Sequence, residues 1–256
     1  MPVLIDSAGS STALVAGLAT QGGTEHAHNV NPHAGGLVAV AAILWTGGVP
    51  TNAGAFNAFF GGAPMHEHQS VVWFGALGVT HVLKTFTLAD PPTGAQKAGA
   101  NFTGMPTELV TRNLHFVSAT YSGVEEIGAP ATAYGWSTDR SAVTVESVAP
   151  AHRVVTIHGV GGANAFDDYD QARRAGTWMF GGGALLLGDA SGAPEVTATA
   201  KHAVGTSMWG AVGFAMTPAI VTGEAVLNVA VDMSAAGGAA RVQPPAMQRY
   251  WTVDGN

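Results

Sequence analysis

The chain has 256 residues, a formal net charge of −7 and no cysteine, and only 11% of its residues are charged. Soluble domains usually carry about 25% charged residues, and helical bundles are rich in Lys, Glu and Arg. The composition therefore argues against a bundle, a coiled coil or a disordered chain. The absence of cysteine excludes disulfides, thiolate metal sites and cysteine nucleophiles.

The charge and hydropathy patterns also exclude two classes of partner. The ten basic residues form no cluster that could follow a phosphate backbone, so nucleic-acid binding is not expected. The N-terminal residues lack a positively charged region and include Asp6, so they predict no secretory signal. The longest apolar stretch, residues 35–45, is far shorter than the roughly 20 residues that span a bilayer, so membrane insertion is not expected.

The predicted elements are strands, because apolar runs are short, rich in Val, Ala, Thr and aromatic residues, and end at Gly, Pro, Asn or Asp. In chain order the predicted strands are residues 11–18, 36–45, 55–60, 70–77, 81–88, 114–121, 142–148, 153–159, 177–187, 195–203 and 208–217. Residues 164–175 favour a short surface helix or turn. The pattern predicts a mainly β fold, an antiparallel two-sheet β-sandwich or a barrel, over residues 1–220. Residues 221–256 are predicted to add a C-terminal strand and an extended tail for docking or assembly.

Five segments carry a resemblance to a known family. They are residues 60–65 (FGGAPM), 81–88 (HVLKTFTL), 89–94 (ADPPTG), 118–124 (SATYSGV) and 209–218 (WGAVGFAMTP). In this order they resemble the jelly-roll-like β-sandwich domain of bacteriophage minor tail proteins and bacterial surface proteins, over roughly residues 10–218. The Ala, Gly and Thr bias is similar to that of virion proteins from phages of actinobacteria such as mycobacteria. The glycine-rich insert at residues 47–54 and the ten histidines depart from the family.

The resemblance implies a structural role. It suggests a minor tail protein of a virion, assembled in the host cytoplasm and released by lysis. The implied partners are copies of the chain itself, as a trimer or hexamer, other virion proteins, and a glycan of the host cell envelope. The alternative is a decoration protein of the capsid or tail, or a carbohydrate-binding module. The family has no shared catalytic residues, so the chain is not expected to be an enzyme.

Two histidine pairs are candidate metal ligands, because residues i and i+2 of a strand face the same way. His66 and His68 form one pair, and His26 and His28 form the other, with His33 nearby. Neither pair is followed by a glutamate at the spacing of a cupin site. Loop histidines bonded to backbone or water are the favoured interpretation, so neither a metal nor another cofactor is expected. His66 and His68 remain weak metal candidates.

Catalytic motifs are also missing from the sequence. There is no Gly-x-Ser-x-Gly elbow and no glycine-rich loop followed by a Walker lysine. The acidic residues Asp167, Asp168 and Asp170 could hold Ca²⁺, but they lack the EF-hand spacing. A surface turn neutralised by Arg173 and Arg174 is the favoured interpretation.

Aromatic residues supply the candidate binding surfaces. Sugar rings stack on exposed tryptophans, and the candidates are Trp136, Trp178 and Trp209, of which the last two are expected to pack in the core. At the C-terminus, Arg249, Tyr250 and Trp251 are of the residue types enriched at interface hot spots. These three residues are predicted either to connect the chain to its partners or to pack on its own domain.

Overall fold

The computed structural model describes residues 2–15, 21–33, 35–46, 55–74, 79–104, 112–146, 149–162, 165–179, 182–202 and 207–219. They belong to one compact unit, Met1–Val221. The predictions for residues 47–54 and 221–256, including Arg249, Tyr250 and Trp251, lie outside the described residues. Within the described part of the chain there is no helix that could cross a membrane.

The first half of the chain builds two antiparallel sheets. Its described strands are β1 (Leu4–Val15), β2 (Gly22–Val30), β3 (Leu37–Thr46), β4 (Ala55–Phe60), β5 (Ala63–Pro64), β6 (His66–Phe74), β7 (Thr80–Ala89), β8 (Gly94–Thr103) and β9 (Arg112–Ser122). Sheet A has the order β1-β9-β3-β7-β6, and sheet B has the order β2-β8-β4-β5. The chain thus passes repeatedly from one sheet to the other.

The second half builds two more antiparallel sheets. Its described strands are β10 (Val124–Ile127), β11 (Ala131–Thr138), β12 (Arg140–Glu146), β13 (Arg153–Gly161), β14 (Phe166–Tyr169), β15 (Ala172–Met179), β16 (Gly183–Ser191), β17 (Glu195–His202) and β18 (Ser207–Pro218). Sheet C has the order β10-β18-β13-β16-β15, with β11 also paired to β18, and sheet D has the order β12-β17-β14.

The two halves have the same topology. In sheet A, β1 pairs with β9. In sheet C, β10 and β11 together take the equivalent position and pair with β18. Beyond β18, sheet C continues with β13, β16 and β15, which correspond to β3, β7 and β6 of sheet A. Sheet D, with the order β12-β17-β14, corresponds to the β2-β8-β4 part of sheet B. The described chain is therefore a structural duplication of one sandwich.

The sheets stack in the order B, A, C, D. One hydrophobic cluster fills the space between sheets A and C, a second lies between A and B, and a third lies between C and D. Sheets A and C consequently have both faces covered. This explains why all ten residues of β3, LVAVAAILWT, are buried, because a strand covered on both faces needs a continuous apolar run.

A buried polar cluster ties the halves together. The carboxylate of Asp189 on β16 lies 2.6 and 2.9 Å from guanidinium nitrogens of Arg174 and 3.2 Å from that of Arg153. Tyr121 on β9 is fully buried and donates its hydroxyl to the same carboxylate at 3.2 Å. This hydrogen bond joins β9 of the first half to β16 of the second half.

The prediction of a mainly β, antiparallel sandwich is confirmed, although the described strands form four sheets where two were expected. Two local predictions are wrong. The single strand at residues 177–187 is a hairpin of β15 and β16, and residues 164–175 contribute β14 and the first half of β15 where a helix or turn was predicted. After the two prolines of the ADPPTG segment, Gly94 has a positive φ of 84°, a conformation that glycine adopts readily.

Candidate functional site

An aromatic groove opens between the two halves of the chain. It is lined by β6 and β11, the edge strands of sheets A and C, and by Met208 at the start of β18. Its lining residues, which define the aromatic groove, are Val72, Trp73, Phe74, Tyr134, Gly135, Trp136 and Met208. Its volume of about 340 Å³ is within the range of small-molecule sites, about 300–1,000 Å³.

The alternation of β11 exposes the two aromatic side chains. Ala133 and Gly135 face the core, whereas Tyr134 and Trp136 are 72% and 70% exposed. Gly135 has a specific role, because a Cβ there would lie 2.7 Å from the ring of Trp209. The Trp209 indole is buried against this glycine and donates to the hydroxyl of Thr138 at 2.8 Å. The wall that presents Trp136 is thereby fixed in place.

The strand β6 supplies the opposite wall. Trp73 is 3% exposed and stacks on His81 with ring centroids 5.5 Å apart, whereas Val72 and Phe74 point outward. None of the described residues that line the groove is charged. Of the six large hydrophobic side chains exposed among the described residues, four lie in this groove, and such clustering marks a binding surface.

The three tryptophans proposed as sugar platforms are separated by the fold. Trp136 is exposed and lies in the groove, whereas Trp209 packs in the core as predicted. Trp178 was expected in the core, but it is 54% exposed because β15 is an edge strand. Sequence reasoning missed Phe74 and Tyr134. Tyr134 alternates with the small residues Ala133 and Gly135, a pattern that could have revealed it.

A second polar site lies at the open edge of the first sandwich, between β1 and β2. The side chains of His26 and His28 share the inner face of β2, and their Nε2 atoms are 3.2 Å apart. The Oγ atom of Ser118 on β9 lies 2.8 Å from one Nε2 and 2.7 Å from the other. Burial lowers the pKa of both histidines to about 4, so both rings are neutral at pH 7.

The tautomer of His28 follows from a chain of hydrogen bonds that ends on a carboxylate. Thr120 donates its hydroxyl to Asp6 at 3.2 Å and therefore accepts the hydroxyl proton of Ser7 at 2.8 Å. The Oγ of Ser7 then accepts from His28 Nδ1–H at 2.8 Å. His28 Nε2 is consequently a bare acceptor aimed at Ser118 and His26.

The contact between Ser118 and His28 resembles the hydrogen bond between nucleophile and base in serine hydrolases. Ser118, however, is completely buried within sheet A, beneath the imidazole rings. A substrate carbonyl therefore has no approach to its hydroxyl. The arrangement does not support hydrolysis.

The other metal candidates are separated or occupied. His66 is exposed, whereas the His68 ring packs edge-on against Phe214 with centroids 4.9 Å apart. A register shift between Glu67 and Gln69 interrupts β6 at this pair. Within the described ranges no group of three or more His, Cys, Asp or Glu side chains surrounds a common point.

The acidic residues after β13 are bound by neighbouring strands. The carboxylate of Asp168 pairs with Arg140 at 2.8 Å, and that of Asp170 accepts from the backbone and hydroxyl of Thr199, both at 2.8 Å. The predicted neutralisation by Arg174 is wrong, because its guanidinium pairs with Asp189.

Comparisons with known proteins add no assignment: no protein family, curated protein or solved structure matches the chain.

Proposed function

We propose that the chain is a structural protein of a bacteriophage virion, of the minor tail class, whose aromatic groove binds a neutral glycan of the host cell envelope. The observation that carries the binding role is the grouping of Phe74, Tyr134 and Trp136 around one uncharged groove. The virion role is supported by the family resemblance and by the low charge of the chain.

The groove suits a sugar because its surfaces are flat, aromatic and solvent-exposed. Tyr134 and Trp136 are two residues apart on one strand, so their Cα atoms are about 6.7 Å apart and their rings lie on the same face. Two adjacent rings of this kind offer stacking surfaces to successive sugar units. The absence of charged lining residues favours neutral sugars over uronic or sialic acids.

The test is binding of soluble neutral polysaccharides (a galactan, an arabinan and a glucan) and of purified actinobacterial cell walls, measured by affinity electrophoresis and sedimentation. We expect Trp136→Ala to weaken binding at least tenfold, which corresponds to about 1.4 kcal/mol of lost stacking. Trp178→Ala is the matched control, because Trp178 is also exposed but lies outside the groove. Equal binding by the Trp136 and Trp178 variants would contradict the assignment of the groove.

A separate measurement tests the virion role. Quantitative mass spectrometry of purified particles should find a few copies per particle for a tail protein and hundreds for a decoration protein. Glycan binding by a chain that is absent from particles would favour the alternative of a carbohydrate-binding module.

A further inference from the structure

We infer that His26 and His28, together with Ser118, form a binding site for a divalent transition-metal ion of the Zn²⁺, Ni²⁺ or Cu²⁺ class. The site lies in the first sandwich, on a different pair of sheets from the aromatic groove. It adds a cation-binding property to the chain, and it does not depend on the proposed glycan.

The positions of the donor atoms carry the inference. Zinc–imidazole bonds are about 2.0–2.1 Å long, so two tetrahedral ligands are about 3.3 Å apart. The Nε2 atoms of His26 and His28 are already 3.2 Å apart. The hydroxyl of Ser118 supplies a third donor within 2.8 Å of both. An ion above these three atoms would complete its coordination with water.

The outer hydrogen bonds are those that a ligating histidine needs. Metal-bound imidazoles donate the other ring N–H to an oxygen, which fixes the tautomer and the ring orientation. His28 Nδ1 donates to Ser7, whose hydroxyl is tied through Thr120 to Asp6. His26 Nδ1 lies 3.2 Å from the Oγ of Ser11, which can accept in the same way. Both Nε2 lone pairs can therefore point at the ion.

The local structure leaves room for the rings and partly exposes the His26 side of the site. A Cβ at Gly9 on β1 would lie 2.8 Å from His26 Nε2, so a residue larger than glycine would displace the imidazole. His26, Ser7 and Ser11 are partly exposed at the edge between β1 and β2, whereas His28 is buried. Neutral imidazoles select Zn²⁺, Ni²⁺ and Cu²⁺ over Ca²⁺ and Mg²⁺, which prefer oxygen. Because the ion would hold β2 against β9, it would cross-link sheets A and B in a chain without cysteine.

The experiment is a titration of the full chain, freed of metal with a chelator, with Cu²⁺, Ni²⁺ and Zn²⁺ separately at pH 7.5. We expect one ion per chain by calorimetry, Cu²⁺ bound most tightly. We also expect an electron paramagnetic resonance spectrum of the Cu²⁺ complex split by two imidazole nitrogens. Zn²⁺ should raise the melting temperature, since it binds the folded chain.

The decisive variant is His28→Asn, because the Asn side-chain NH₂ can replace Nδ1–H as donor to Ser7 while the Nε2 ligand is removed. It should lower the affinity at least a hundredfold and leave at most one nitrogen in the copper spectrum. The matched control, His66→Asn with His68→Asn, should bind as the wild type does. If the His28 variant does not fold, the number of coupled nitrogens in the wild-type spectrum decides alone. Absence of stoichiometric binding, fewer than two coupled nitrogens in the wild type, or binding unchanged in His28→Asn would overturn the inference.

Discussion

Acid should unfold this protein between pH 6.5 and pH 4, because neutral histidines are buried in its core. His81, His115 and His158 are buried, and burial lowers the pKa of each from 6.5 to about 4. In this pH window the unfolded chain binds protons at these positions and the folded chain does not. Stability is therefore complete above pH 6.5 and falls as the pH decreases toward 4.

The geometry at His158 shows why protonation is costly. Ser141 donates its hydroxyl to the carbonyl of Ala200 at 3.1 Å, so its Oγ accepts from His158 Nδ1–H at 2.8 Å. Nε2 of the same ring is buried and has no hydrogen-bond partner among the residues that the structure describes. A proton added there would create a buried charge with an unsatisfied donor, which the structure does not compensate.

The magnitude follows from the pKa difference. Each pH unit below 6.5 costs about 1.4 kcal/mol for each such histidine, so the three together cost about 6 kcal/mol at pH 5. That is comparable with the whole stability of a typical domain, about 5–15 kcal/mol. Urea denaturation at pH steps from 7.5 to 5 measures the effect as the slope of unfolding free energy against pH.

The variant His158→Asn tests the assignment, because its amide can still donate to Ser141 while the ring no longer titrates. Its slope between pH 6 and 5 should be smaller than that of the wild type by about 1.2 kcal/mol per pH unit. The control is His66→Asn, which removes one imidazole at an exposed position outside the core. A wild-type stability that is flat from pH 7 to 5, or an unchanged slope in the His158 variant, would refute the reasoning.

Three further predictions concern the core and assembly. Asp189→Asn should lower the free energy of unfolding, measured by urea denaturation at pH 7.5, by about 3 kcal/mol, because it leaves two partly buried arginines without their carboxylate. A decrease below about 1 kcal/mol would contradict this. Gly210→Ala should lower the free energy of unfolding by about 1–3 kcal/mol in the same assay, because the new Cβ would lie 2.5 Å from the Trp73 ring. The displaced ring should also weaken glycan binding. Unchanged binding would show that this ring does not shape the groove. Deleting residues 241–256 should leave the sandwich folded by circular dichroism and reduce the oligomer measured by light scattering; a truncated chain that assembles normally would show that the tail is not the connector.

The buried strands could be predicted from the sequence, and so could the outer strands β4, β12 and β17, whereas outer strands such as β2 and β8 could not. The apolar run at residues 36–45 predicts β3 almost to the residue, since a strand covered on both faces must be apolar throughout. The strands β2 and β8 were missed because glycine and polar residues dominate them, as GGTEHAHNV and GAQKAGANFT show. Part of the inner face of β8 is formed by the small residues Ala98 and Ala100, which pack in the cluster between sheets A and B.

The candidate sites show the same limit. The polar residues around Trp136 predicted that it is exposed. Phe74 ends an apolar run, which predicts a buried side chain. The i, i+2 spacing of His26 and His28 was visible, but Ser118 lies 90 residues away and joins them only through the pairing of sheets. The duplication was also hidden, because the two halves share strand order without an evident sequence repeat.

The duplication allows the groove to be compared with an equivalent position elsewhere in the fold. The interface of sheets A and C has two equivalent sides, because β6 faces β11 and β18 at one side while β1 faces β15 at the other. At the β1 side, Ser10 donates to the carbonyl of Gly176 at 3.1 Å and joins the two edges. At the β6 side the corresponding edges diverge around Phe74, Tyr134 and Trp136. The duplicated sandwich can close at this position without such a gap, since a hydrogen bond joins the two edges at the β1 side. Exposing three aromatic side chains to water is unfavourable, which supports the proposal that a ligand covers them.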